Sequence, residues 1–195
     1  KVSIRLYDSK RQELVDFVPL EPGKLSIYVC GPTVQSEPHI GHLRSTLVYD
    51  LWWRWFDYRG LQVTMVRNVT DIDDKILDKA AESGEAWWAL ASRIEREFHR
   101  ISDTLRIRRP ALEPRATGDI PAMVELIQKL IDRGHAYLAE NGSGDVYFDV
   151  ASWPDYGELT HQSPDKMEPG ETAAAGKRSP LDFALWKGHK ASEPD

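Results

Sequence analysis

Cysteine is almost absent from these 195 residues. The sole one is Cys30, so no intrachain disulfide framework is possible. Long apolar runs are missing too. No stretch is long enough to cross a bilayer. The opening Lys1-Val2-Ser3-Ile4-Arg5 lacks an apolar core followed by a small-residue cleavage site, so no signal peptide is expected. Positive charge is in deficit, with a formal net charge of −6. A protein that coats nucleic acid is usually basic, so any such contact must be local or lie outside these residues. Without secretion, the glycosylation triplets at Asn68-Val69-Thr70 and Asn141-Gly142-Ser143 carry no weight. No internal repeat is present. What remains is 41% hydrophobic and 29% charged, the balance of a globular, cytoplasmic protein with no membrane attachment. Its length suits one sizeable core with a smaller appended subdomain.

The positive signals begin with alternation. Residues 2–7 read as a short strand and Leu14 to Val18 as a returning one. Leu25 to Val29 is an apolar, β-branched run of the kind found in buried parallel strands, ending at Cys30-Gly31-Pro32. Leu43, Leu47, Leu51, Trp55 and Tyr58 recur at helical spacing and predict a helix over 43–58, with Gly60 as its stop. Val63 to Val66 is the next strand. Thr70 with Asp73 fits a capping signal, predicting a helix from near Asp71 to Ser83-Gly84 and a second over 85–106. Strand, turn, helix, repeated, is the rhythm of a parallel α/β sheet.

After Pro110 the texture changes. Residues 119–134 are helical, and Ala136–Leu138 with Val146–Phe148 read as a hairpin. From Ala151 to Arg178 the composition is loop-like, and Asp182 to Trp186 suits one last strand. The residues from Gly188 onward show no ending signal, so a truncated chain is expected.

Three polar clusters follow predicted strands: Cys30-Gly31-Pro32-Thr33, Pro38-His39-Ile40-Gly41-His42 and Asn68 to Lys75. In an open α/β sheet the carboxyl edge of the strands is where ligands bind. His39 and His42 share one face of a first helical turn. The helix N-terminus there offers free N–H groups and partial positive charge, a phosphate site, and imidazole donors can neutralise charge on an α-phosphate in flight. Gly41 would let an adenine ring or ribose approach the backbone. Two locally satisfied histidines remain the plain alternative. Cys30 is read either as a small buried hydrophobe or as a zinc ligand, but one cysteine does not close a tetrahedral set. Asp71, Asp73 and Asp74 suit a helix start, and Thr70 can also offer a hydroxyl to the crevice. Trp52, Trp53 and Trp55 are expected in core and helix packing, with one ring partly exposed. Arg106, Arg108 and Arg109, and Lys177-Arg178, are expected on solvated faces.

These residues resemble the cysteinyl-tRNA synthetases, a family of class I aminoacyl-tRNA synthetases. The likeness runs over essentially the whole chain. It rests on Tyr28-Val29-Cys30-Gly31-Pro32-Thr33-Val34, His39-Ile40-Gly41-His42 and Val66 to Lys75. Further along it includes Glu113-Pro114-Arg115-Ala116-Thr117, Gly134-His135-Ala136-Tyr137, Gly144 to Val150 and Asp182 to Lys187. The Gln35-Ser36-Glu37-Pro38 approach lacks the family's usual aromatic-acid pair and looks actinobacterial.

The resemblance implies an α/β, Rossmann-like catalytic core, its first half over 1–109, followed over 110–195 by the start of a connective α+β insertion. It implies a monomeric enzyme that activates cysteine with ATP and Mg2+ to cysteinyl-adenylate and passes cysteine to tRNA(Cys). His39, Ile40, Gly41 and His42 would bind ATP, with His39 and His42 catalytic. Gly31 and Thr70 would line the cysteine pocket, and Cys30 would ligate Zn2+. The family's other zinc ligands, its Lys-Met-Ser-Lys-Ser loop and its tRNA-binding helical domain have no counterpart here, so this piece alone is expected to be inactive. His189-Lys190-Ala191-Ser192 is only a superficial echo of that loop. Three other readings compete: a cysteine–aminosugar-inositol ligase of mycothiol synthesis, a nucleotidylyltransferase using the histidine site without zinc, and a truncated binding paralogue.

Overall fold

A computed structural model of the chain describes residues 3–168, 176–191 and 193. Val2, Ala173–Ala175 and Ser192, to which expectations were attached, lie outside the described residues.

The expected buried strand and its successor form the centre of one compact unit, residues 18–120. Strands β3 (Lys24–Val29) and β4 (Gln62–Arg67) pair in parallel, with Lys24 opposite Gln62 and Val29 opposite Arg67. Parallel neighbours need a crossover, and helix α1 (Ile40–Tyr58) supplies it. The other edge of β4 is also occupied. Ala111 donates to Met65, Arg67 to Leu112, Val69 to Pro114 and Ala116 to Val69, over 2.8–3.1 Å, so residues 111–116 run alongside as a third, parallel line of chain. Nothing in the periodicity announced it, because Pro110 and Pro114 mask a strand pattern.

Helices α2 (Asp74–Ser83) and α3 (Trp87–Thr104) complete this unit. Ile76 and Ala80 meet Leu90, Ala91, Ile94 and Phe98 in its core, with Val34 and Val69 closing over them. The predicted α2 start near Asp71 is corrected to Asp74. Asp71 is spent elsewhere: its carboxylate accepts the Thr117 N–H at 3.0 Å and the Thr117 hydroxyl at 2.5 Å. That holds residues 70–72 outside the helix, and Asp73 caps it instead, accepting the Lys75 N–H at 3.0 Å. Gly84, at φ 67°, ends it in the left-handed conformation.

Two burial expectations are also corrected. Strand β3 alternates between exposed and half-buried and only Val29 is buried, since Lys24, Ser26 and Tyr28 share one face of the strand and are exposed. On α1 only Asp50 and Phe56 are buried. Trp52 and Trp55 are 39% and 50% exposed, and Trp53 is half-buried with the Arg108 guanidinium over its ring.

The second compact unit gathers the residues before 18 and after 120. Strands β1 (Arg5–Asp8) and β2 (Glu13–Asp16) form an antiparallel pair. Helix α4 (Ile120–Asp132) leads into β5 (Ala136–Leu138), β6 (Val146–Phe148) and β7 (Phe183–Trp186), an antiparallel sheet in that order. Buried Asp182 is its hub, accepting from the Tyr137 hydroxyl at 2.6 Å and from the Val150 and Ser179 N–H groups at 3.1 and 3.0 Å. Burial pushes the Tyr137 hydroxyl up to about 12. The compact units divide at 17/18 and 120/121. The pairing of residues 111–116 with β4 holds them to the first sheet. No helix among the described residues is long and apolar enough to cross a membrane.

Candidate functional site

The start of α1 is built from its own histidines. His39 is the N-cap, in extended conformation, and its Nδ1 accepts the Gly41 N–H at 3.1 Å. His42, at the third helical position, returns the favour: its Nδ1 accepts the His39 N–H at 3.3 Å. Two imidazoles thus fill the roles that serine and glutamate fill in a common capping box. Their ring centroids lie 3.8 Å apart. Because both Nδ1 atoms are acceptors, the neutral rings carry their protons on Nε2, leaving two Nε2–H donors uncommitted by the cap. Burial first, and the charge of His39 second, hold His42 below its ordinary value of 6.5. Gly41 sits where a Cβ would press on the His39 ring, 2.9 Å from Cε1 and 3.1 Å from Nδ1. A side chain there would displace the capping ring. Ile40 is 81% exposed at the same helix start.

The ends of β3 and β4 make the second part. Cys30 is an exposed, free thiol. Gly31 packs so tightly that a Cβ would fall on the backbone carbonyl of Asn68. Its N–H donates to Asn68 Oδ1 at 2.7 Å, and Asn68 Nδ2 donates to the Thr70 hydroxyl at 3.3 Å. A cavity of about 100 Å³ joins the two parts: Cys30, Gly31 and His42 line it, together with Trp53, Met65 and Phe98. Thr70 does not border it but is tied to that rim through Asn68 and by its N–H to the Pro32 carbonyl at 3.0 Å.

This arrangement can be set beside known proteins. Residues 16–195 match the family described as tRNA synthetases class I (C), catalytic domain. The chain belongs to that family. A cysteine–tRNA ligase of Leifsonia xyli subsp. xyli is 62% identical over 200 aligned residues, covering 100% of this chain and 42% of that protein. One from Renibacterium salmoninarum is 60% identical, covering 99% and 39%. The chain therefore spans about two fifths of the length of these curated relatives. Among solved structures, Mycobacterium tuberculosis methionyl-tRNA synthetase with methionyl-adenylate superposes with a TM-score of 0.58 at 19% identity, over 67% of this chain and 33% of that one. A ternary complex of Agrobacterium radiobacter K84 agnB2 LeuRS, tRNA and LeuAMS gives 0.58 at 20%, over 72% and 22%. At such identities the likeness is one of fold, and it agrees with the α/β, Rossmann-like reading.

Within this class I synthetase domain, the expected residues His39, Ile40, Gly41, His42, Cys30, Gly31 and Thr70 all fall on the loops and helix start that follow β3 and β4. No group of three or more His, Cys, Asp or Glu among the described residues gathers to hold a metal ion. Cys30 is chemically apt as one soft thiolate donor, but the described residues do not by themselves make a metal site. Sequence reasoning missed Asn68 as a connector, although an amide directly after a strand was a usable signal. It also missed the Arg67–Glu113–His99 chain beside β4, with Arg67 and His99 on the two Glu113 oxygens at 2.6 and 3.0 Å. The arginine knot is ion-paired as well as solvated: Arg109 meets Asp103 at 2.7 Å and Arg108 meets Asp57 at 2.9 Å. Lys177 and Arg178 lie over the Tyr147 and Tyr137 rings, at 5.8 and 4.1 Å.

Proposed function

We propose that this chain is the amino-acid-activating part of a cysteine–tRNA ligase. The carrying observation is the common rim of Cys30, Gly31 and His42 around one cavity, within a chain more than 58% identical along its whole length to several such ligases. A carboxylate oxygen of cysteine attacks the α-phosphorus of ATP, pyrophosphate leaves, and cysteinyl-adenylate forms. A hydroxyl of the terminal ribose of tRNA(Cys) then attacks the acyl carbon and AMP leaves.

Each local part has a defined share. The Nε2–H groups of His39 and His42 donate to the α-phosphate as negative charge builds on it, and the N-terminal dipole of α1 adds to this. Gly41 keeps the capping rings in register, and Ile40 and Gly41 give ATP a flat approach. Gly31 lines the cavity proposed for the amino acid, with Thr70 held behind its rim through Asn68, and Mg2+ would accompany the ATP phosphates. Cys30 would offer one thiolate to a zinc ion, and a zinc ion bound there would favour a sulfur-bearing amino acid over a hydroxyl-bearing one. Its other ligands belong to the longer protein, as do the tRNA contacts. The enzyme is read as cytoplasmic and monomeric, and the 195-residue piece alone as inactive.

ATP–pyrophosphate exchange in the longer protein provides the test. Exchange that depends on cysteine, followed by charging of tRNA(Cys), is expected. Exchange without cysteine points to a nucleotidylyltransferase, and transfer to an aminosugar-inositol but not to tRNA points to the mycothiol-type ligase. Either result overturns the proposal.

A further inference from the structure

The β3–β4 ladder does not end at Val29 and Arg67. It resumes at the parallel Thr33–Thr70 bridge, where the Val34 N–H reaches the Thr70 carbonyl at 3.1 Å. Between these points, three residues on one side (Cys30, Gly31, Pro32) face two on the other (Asn68, Val69). One residue is in excess, and the chain must bulge. A bulge leaves a backbone group without its ladder partner, and such groups must be satisfied elsewhere.

Here the Asn68 side chain does it. Its Oδ1 takes the Gly31 N–H at 2.7 Å in place of a strand carbonyl, and its Nδ2 reaches the Thr70 hydroxyl at 3.3 Å. The absent Cβ of Gly31 is what lets the Asn68 backbone come this close. Cys30 follows buried Val29 on the opposite face of the strand, and its thiol is exposed where the bulge begins.

We propose that Asn68 is a positioning residue for amino-acid binding: through Gly31 it sets the Cys30-Gly31 bulge, and through Thr70 it aims the facing hydroxyl. The inference rests on the ligase reading above and adds to it a residue that touches no substrate. One amide fixes both walls of the amino-acid cradle, while the ATP side, at His39 and His42, is held separately by its own cap. The two substrates should therefore respond differently to its loss. Asn68→Ala removes both bonds. Asn68→Asp keeps an acceptor for Gly31, and its carboxylate can take a hydrogen bond from the Thr70 hydroxyl.

The experiment compares these variants in the longer protein, with the thermal midpoint, the KM for cysteine, the KM for ATP and, after metal is stripped with a chelator, the alkylation rate of Cys30 followed by peptide mapping. Asn68→Ala is expected to raise the cysteine KM about tenfold, the effect of one lost hydrogen bond near a binding group. Its ATP KM should stay within about twofold. Cys30 alkylation should change about threefold as the bulge beside it loses its tie to Asn68, since thiol reactivity follows its surroundings. Asn68→Asp should reverse most of both effects. Unchanged cysteine KM and alkylation in Asn68→Ala overturn the proposal. So does a parallel rise in both KM values with a lowered thermal midpoint, which marks a merely structural residue. If the unaltered protein shows no cysteine-dependent exchange, the ligase reading falls, while the alkylation rates still decide whether Asn68 sets the bulge.

Discussion

Two glycines of the candidate site are needed for different reasons. At Gly31 the missing Cβ makes room for a backbone carbonyl, that of Asn68, which is pinned by the parallel pairing of β3 and β4. At Gly41 it makes room for the His39 imidazole, the far end of a rotatable side chain. The first contact cannot yield without moving a strand. The second can yield by a turn of χ1. So the Gly31 side of the site is held by long-range sheet structure, and the His39–His42 side by local geometry within one helical turn. Substitutions should expose that contrast.

Gly31→Ala is expected to have the largest effect. The added methyl falls on the Asn68 carbonyl and forces the β3 and β4 ends apart, costing about 2–3 kcal/mol, the upper range for overpacking. Denaturant unfolding of the longer protein should register this as a lowered midpoint, and cysteine-dependent exchange should vanish. A variant as stable as the parent would show that the strand ends are not rigid, and the contrast between the two glycines would collapse.

His42→Ala comes next and should separate activity from stability. Loss of one donor to a charge-bearing oxygen in a preorganised site typically lowers kcat about 100-fold or more. Stability should change by only about 1 kcal/mol, the worth of one cap contact. A rate within a few-fold of the parent would leave His39 and His42 as helix caps and nothing more. Gly41→Ala should be milder again. The His39 ring swings aside, the cap loosens, and exchange slows about tenfold, since misplacing a catalytic group by about 1 Å is costly. Stability should hold within about 1 kcal/mol, because alanine favours helix where glycine does not.

The same contrast governs how far the sequence could be read. Local features were legible: the 43–58 spacing foretold α1, Gly84 foretold the end of α2, and the His39-Ile40-Gly41-His42 word marked a helix start. Features depending on distant partners were not. Asp71 looked like part of a helix start because its true partner, Thr117, lies 46 residues away. The line of chain at 111–116 was hidden because prolines break strand periodicity yet tolerate pairing on one edge. The exposure of Trp52 and Trp55 was hidden too: periodicity shows that a helix has an apolar face but not how much of it is covered. For the candidate site, the loops and helix start that follow β3 and β4 could be read, but the Asn68 bonds that join Gly31 to Thr70 could not, because such joining is not visible along a chain.

The smallest expected effect concerns protons. His42 is held below 6.5, by burial first and by the charge of His39 second. A folded-state pKa below the unfolded value means that the unfolded chain binds the proton more readily. The contribution to stability is therefore fully present above about 6.5 and is lost as pH falls toward the folded value. The cap gives this a structural consequence. Protonating the ring places a hydrogen on Nδ1, and an Nδ1–H cannot accept the His39 N–H. Acid should thus open the start of α1 before it disturbs the β3–β4 ends, whose bonds at Gly31 and Asn68 involve no titrating group. Proton NMR of the imidazoles should place the His42 midpoint below 6.5. In His39→Ala that midpoint should move upward but stay short of 6.5, since the larger cause, burial, remains. A full return would make the neighbouring charge the main cause, and no movement would mean that the rings, 3.8 Å apart, do not sense each other.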